Sequence, residues 1–256
     1  MSVRYFLCSL VALPLLPLLY FQGKRIRASV PILPEATEPQ GKVGLPNTKK
    51  LNLLCLGEST IAGVGVEKHE DGFAGTLAKE LVVSQGAEIH WRVYARSGYT
   101  AARVTRKLLP KLTEEKPDLI VIGLGGNDAF TLNRPWKWRQ QVEQLIDALQ
   151  EQFKEVPIFL TNVPPIKEFP AFTKPIKFII GNLVEILGQE LTKVAQQKHL
   201  VYYNPEIITI DGWKKKWKIE GTAKDFFSDG VHPSKLTYQV WGKDMAYFIS
   251  KQLAIG

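Results

Sequence analysis

Five short apolar runs recur along the chain, each followed by a stretch with helical spacing, and this alternation constrains the fold more than any other feature. Residues 51–56 (LNLLCL), 88–95, 119–123 (LIVIG), 158–163 and 200–203 read as strands. Residues 72–83, 101–112, 136–153, 234–253 and part of 176–198 place apolar side chains at helical intervals. Strands joined through helices require right-handed crossovers. The expected class is therefore α/β, a five-stranded parallel sheet between two helical layers, αβα. Function in such a sheet collects in the loops at the carboxyl ends of the strands.

The composition supplies enough material for this. With 256 residues, 45% of them hydrophobic, the chain can bury a large core and is not disordered. Two cysteines, Cys8 and Cys55, exclude a disulfide scaffold and a four-thiolate zinc site, and both lie in apolar runs as expected of buried thiols. The excess of 33 Lys and Arg over 25 Asp and Glu gives a net charge of +8, which favours anions and membrane surfaces without implying a nucleic-acid partner.

Residues 5–21 (YFLCSLVALPLLPLLYF) carry no charge. As a helix this segment spans roughly 25 Å, at the short end of what a bilayer requires, and Pro14 and Pro17 strain it. Lys24, Arg25 and Arg27 stand where a signal-cleavage site should be, so an uncleaved single-pass anchor is preferred to a signal peptide. Arg4 precedes the span and those three cations follow it, which places the catalytic side in the cytoplasm at an inner membrane. Export after cleavage is the alternative. Residues 22–46, rich in proline, read as an extended tether, and the folded domain as residues 47–256.

The strand ends carry four unusual blocks: Gly57-Glu58-Ser59, Arg96-Ser97-Gly98-Tyr99, Gly125-Gly126-Asn127-Asp128 and Asp229-Gly230-Val231-His232-Pro233. Singly each is ambiguous. A serine after a strand often caps a helix, Gly98 and GGND suit turns, and DGVH fits a solvated turn or half of a metal site. Together they bring a nucleophile, a glycine, an amide donor and an Asp-His pair to one edge of one sheet. This set resembles the SGNH, or GDSL-type, hydrolase family over roughly residues 51–245. The resemblance implies a flavodoxin-like three-layer fold and acyl-ester hydrolysis by Ser59, Gly98, Asn127 and His232, with Asp229 as partner of the histidine. One position departs from the family pattern, Glu58 where Asp is usual, which preserves a carboxylate and adds a methylene.

The residues support that chemistry on their own. A serine hydroxyl attacks well only when a base removes its proton, and neutral imidazole does so near pH 7. His232 is the candidate base. Asp229 lies three residues earlier across Gly230, where one tight turn brings its carboxylate to the ring. The backbone N–H groups of Ser59 and Gly98 and the Asn127 amide can receive the developing oxyanion. No metal or cofactor is called for: His69, His90, His199 and His232 show no ligand spacing, and His69, inside EKHED, reads as solvated. G-x-S-x-G is absent, Gly63-Val64-Gly65 lacks the third glycine of a dinucleotide loop, and no Walker lysine follows a glycine-rich loop.

Two aromatic-basic clusters remain. Residues 134–139 (RPWKWR) suit either a membrane surface or a helix start with a core-facing tryptophan; residues 213–218 (WKKKWK) suit a membrane surface or a solvated loop, and the second reading is preferred for both. Residues 164–175 hold four prolines and are expected to border an acyl pocket lined by Phe169 and Phe172, with Phe178 a further candidate. The expected substrate is a small-molecule or lipid ester. A membrane-tethered binding module that kept the fold without catalysis is the competing reading.

Overall fold

The computed structural model describes residues 3–46, 48–114 and 116–255. Six strands form one sheet: β1 (Gln40–Val43), β2 (Lys50–Gly57), β3 (Glu88–Ala95), β4 (Leu119–Gly123), β5 (Ile158–Leu160) and β6 (Val201–Tyr203). Their order is β1-β3-β2-β4-β5-β6, with β3, β2, β4, β5 and β6 mutually parallel. Every residue of β4 and the last five of β2 are buried, as continuous apolar strands must be when helices cover both faces.

Among the described residues eight α-helices accompany the sheet: α1 (Val3–Ser29), α2 (Phe73–Gln85), α3 (Ala101–Lys107), α4 (Gly126–Phe130), α5 (Pro135–Gln152), α6 (Lys174–Gln197), α7 (Ile210–Trp217) and α8 (Lys235–Ile255). α2 packs on α8, and α5 packs on α3 and α6, giving the helical layers on the two sides of the sheet. Proline in the first turn suits the starts of α5 and α6, where its missing N–H is no loss. α2 stops at Gly86, whose φ of 60° is left-handed and whose N–H returns to Val82 O.

Two expectations about the sheet are corrected. It has six strands, and it is mixed, because β1 runs antiparallel to β3 from Gln40 opposite Arg92 to Val43 opposite Ile89. β1 lies inside the stretch read as a tether. It covers the β3 edge, which would otherwise present unpaired N–H and C=O groups. Gly41 permits this, since a Cβ there would stand 2.5 Å from the Trp91 ring.

α1 is longer than the expected span, has no buried residue, and is long and apolar enough to cross a membrane. It lies along α6: Arg4 pairs with Glu185 at 2.5 Å, and Thr173 Oγ1 donates to Gln22 Oε1 at 2.6 Å. The 134–139 cluster is a helix start with Trp138 in the core. The 213–218 cluster is not a loop but most of α7. Ile210 and Trp213 are buried, and Lys216 reaches the buried Asp244 at 2.6 Å.

Candidate active site

Ser59 stands in the turn that leaves β2. The backbone coils tightly there, Ala62 N–H donating to Glu58 O at 2.9 Å and Val64 N–H to Ser59 O at 3.1 Å. Gly57 lets the strand end sit against β4, because a Cβ would fall 2.4 Å from Gly123 O. Ser59 itself is half-buried.

Glu58 points into the sheet end. Only 2% exposed, it accepts the Gly126 N–H on Oε1 and the Asn127 N–H on Oε2, both at 2.8 Å. A carboxylate therefore fixes the start of α4 and with it the Asn127 backbone. Burial pushes the Glu58 carboxyl up to about 7, against the pull of these two hydrogen bonds.

From α4, Asn127 Nδ2 donates to Tyr99 O at 3.2 Å, and the fully buried Asp128 accepts Ala101 N–H at 3.0 Å and Asn133 Nδ2 at 2.9 Å. These bonds tie the Gly98 turn to α4. Gly98 has φ +76°, a conformation that favours glycine, while a Cβ there would meet nothing within 4 Å; the backbone angle, rather than crowding, explains the residue.

The Asp229 carboxylate is buried and closes its own turn. Its Oδ1 accepts the N–H groups of Val231 at 2.9 Å and His232 at 2.7 Å, and its Oδ2 lies 2.7 Å from His232 Nδ1. Gly230 supplies the φ of +84° that this turn requires. Burial opposes ionisation, but the His232 ring and the two backbone donors outweigh it and hold the carboxyl below its ordinary value. Ala171 N–H donates to Gly230 O at 3.1 Å, so the proline-rich segment docks on this loop.

The loop of Ser59 and the loop of His232 touch. Tyr238 Oη donates to Val64 O at 2.8 Å, and a Cβ at Gly65 would fall 2.2 Å from Pro233 O. Thr60, Val231 and Pro233 line one apolar cavity of about 40 Å³, together with Phe169, Trp213 and Phe227 among others. Among the described residues Ser59 Oγ is not hydrogen-bonded to the imidazole, whose donor or acceptor contact is with Asp229. Catalytic hydrogen bonds often tighten only when substrate is present.

A family model for the GDSL-like lipases and acylhydrolases matches residues 55–240. The chain belongs to that family. Esterase TesA of Pseudomonas aeruginosa is 30% identical over 194 residues, covering 74% of this chain and 85% of that protein. A crystal structure of TesA superposes with a TM-score of 0.56 at 22% identity, covering 78% of this chain and 97% of that one. A family 3 carbohydrate esterase from Clostridium thermocellum gives 0.56 at 18% identity, over 80% and 100% of the two chains. A lipase/acylhydrolase from Enterococcus faecalis gives 0.52 at 20% identity, over 79% and 96%. This GDSL-type protein is accordingly a hydrolase of ester bonds on an α/β fold.

Within the family frame, the structure adds residues that sequence reasoning passed over. Glu58, in the sequence a departure from the family pattern, connects the serine turn to Asn127. His69 is 3% exposed instead of solvated, packed near Gly63 and Trp91, and burial pushes its ring down to about 4, so it is neutral at pH 7. Phe169 lines the cavity, whereas Phe172, expected beside it, is outside the lining, its ring 5.3 Å from Phe169 and 5.5 Å from Phe130. Phe178 is 51% exposed and lies outside the cavity lining. Among the described residues no three His, Cys, Asp or Glu side chains gather as a metal-ligand group.

Proposed function

We propose that this GDSL-type hydrolase is a serine esterase that works through an acyl-serine intermediate. The Asp229–His232 contact at 2.7 Å carries the reading, because the same carboxylate also accepts two backbone N–H groups and is thereby immobilised. With Nδ1–H donated to Asp229, the ring presents Nε2 as a base towards the neighbouring serine loop.

In this mechanism His232 takes the Ser59 proton as Oγ bonds to the ester carbonyl carbon. The carbonyl oxygen becomes an oxyanion, received by the N–H groups of Ser59 and Gly98 and by the Asn127 amide. Collapse expels the alcohol, protonated by His232, and leaves the acyl group on Ser59. Water, deprotonated by the same ring, then releases the carboxylic acid and restores the serine. The acyl group points into the apolar cavity beside Thr60, where Phe169 forms a wall and Phe172, outside the lining, packs on Phe169.

Residues 5–21 serve as a membrane anchor, residues 22–46 as the connection and residues 47–256 as the catalytic domain, with β1 packed onto it. The charge asymmetry around the span supports a cytoplasmic domain. A bilayer cannot host the charged residues of α6, Glu185 in its middle among them, beside α1, so insertion separates Arg4 from Glu185. Hydrolysis of acyl esters graded in chain length and headgroup, measured for wild type and Ser59→Ala, tests the activity. Hydrolysis that survives Ser59→Ala contradicts it, and a folded wild type inert on all of them favours the binding module.

A further inference from the structure

The segment between the apolar helix and β1 crosses two of the loops that build the site. Ala36 N–H donates to Ala62 O at 3.0 Å, Thr37 N–H to Glu67 O at 2.8 Å, and His69 N–H to Thr37 O at 3.0 Å. A Cβ at Gly63 would stand 2.6 Å from Ala36 Cβ, so the glycine lets this segment lie directly on the turn that follows Ser59. Val93 N–H then donates to Pro39 O at 2.8 Å, leading into β1.

Glu35 stands at the start of that path and reaches the other loop. Its Oε1 accepts the Ser97 N–H at 2.7 Å, and its Oε2 accepts Arg96 Nη1 at 2.9 Å. Arg96, Ser97 and Gly98 are all exposed, and no atom packs against the Cβ position of Gly98. Among the described residues the other ties of the turn are Arg96 N–H to Gly57 O and Tyr99 N–H to Arg96 O, both at 3.2 Å, Asn127 Nδ2 to Tyr99 O at 3.2 Å, and Arg103 Nη1 to Gly98 O at 3.5 Å, none of which engages the Ser97 N–H. The Ser97 N–H, immediately before that of Gly98, is thus held by Glu35. An exposed Arg-Glu pair contributes little by itself, whereas a backbone donor bonded to a carboxylate is fixed firmly.

We propose that Glu35 is a positioning residue, holding the Arg96–Tyr99 turn so that the Gly98 N–H is aimed at the developing oxyanion. The proposal rests on reading Gly98 as an oxyanion donor. Pre-aimed donors act in the transition state, so their loss of aim falls on kcat and leaves KM nearly unchanged. It also makes residues outside the family match, which begins at residue 55, part of the catalytic framework.

The test uses the full chain with Glu35→Ala and Glu35→Gln, and Glu38→Gln as a control that removes only the Glu38–Lys68 ion pair of the same segment. The measurements are kcat and KM on an acetyl ester, the thermal midpoint, and the affinity for phenylboronic acid, which forms a tetrahedral anionic adduct on a nucleophilic serine. Glu35→Ala is expected to lower kcat and boronate affinity together by about tenfold, short of deleting a donor, with KM within about twofold. Glu35→Gln keeps one acceptor oxygen and is expected to lose less, and Glu38→Gln to match wild type. A Glu35→Ala protein with a lower thermal midpoint but unaltered kcat and boronate affinity overturns the proposal. A wild type that neither hydrolyses esters nor binds the boronate overturns the underlying reading and the proposal with it.

Discussion

Glu58 and Asn127, 69 positions apart, are joined by a 2.8 Å hydrogen bond from the asparagine backbone N–H to the glutamate carboxylate, with the neighbouring Gly126 N–H on the other oxygen. The residue before Ser59, the proposed nucleophile, therefore sets the position of Asn127, the proposed oxyanion donor, on another loop. Asp at this position, being one methylene shorter, reaches both donors less well from the same backbone. Glu58→Asp is expected to lower kcat by about tenfold with little change in KM, in steady-state kinetics on a short acyl ester. Unchanged kcat means that α4 is held without this carboxylate.

The same residue makes stability depend on pH. Its folded value of about 7 exceeds the ordinary 4.5, so between those values the native protein keeps a proton that the unfolded chain has released. Its contribution is complete below the ordinary value and is lost as pH rises through about 7. Glu58→Gln cannot titrate. The unfolding free energy of wild type relative to Glu58→Gln should fall between pH 4.5 and 8 by roughly 3 kcal/mol at most. Parallel denaturation curves across that range refute the titration.

Asn127 has a side-chain N–H committed to Tyr99 O, and the amide carries a second, which the proposed mechanism assigns to the oxyanion. Removing one such donor typically costs about 3 to 4 kcal/mol in the transition state. Asn127→Ala should reduce kcat by about two to three orders of magnitude while the protein stays folded by circular dichroism. A loss confined to KM assigns the side chain to ground-state binding.

Phe169 is buried against Phe227, their ring centroids 5.2 Å apart, and walls a cavity of about 40 Å³. A cavity of that size holds a short acyl group. Phe169→Ala should raise kcat/KM for octanoyl relative to acetyl esters, read as a ratio so that a general loss of stability cancels. An unchanged ratio removes Phe169 from the acyl site.

The apolar helix predicts partition into lipid. Full-length protein should float with phospholipid vesicles and resist extraction at high pH and high salt, with its mass showing residues 5–21 retained in cells. Release by salt, or a mature chain that begins after residue 21, contradicts the anchor.

Much of the architecture was legible because its signals are local. The central strands declare themselves as unbroken apolar runs such as LIVIG, and Asp229 and His232 are separated by Gly230 and Val231, the glycine making their turn readable. What escaped depends on distant partners. β1, QGKV, has no apolar run, and its place comes from the open edge of β3 and the face of Trp91. α7 hides its Ile210 and Trp213 spacing beneath three lysines. His69 is flanked by charges, yet its burial is set by Gly63 and Trp91. The Glu58 and Glu35 carboxylates look like ordinary surface groups until the loops they grip are seen beside them.

The most direct measurement is the site of covalent capture. Full-length protein is treated with a fluorophosphonate, digested, and mapped by mass spectrometry in wild type, Ser59→Ala and His232→Ala. The phosphonyl adduct should lie on Ser59 in wild type, be absent in Ser59→Ala, and form far more slowly in His232→Ala. An adduct on another residue, or labelling of Ser59 at the same rate without the imidazole, contradicts the pairing of Ser59 with His232.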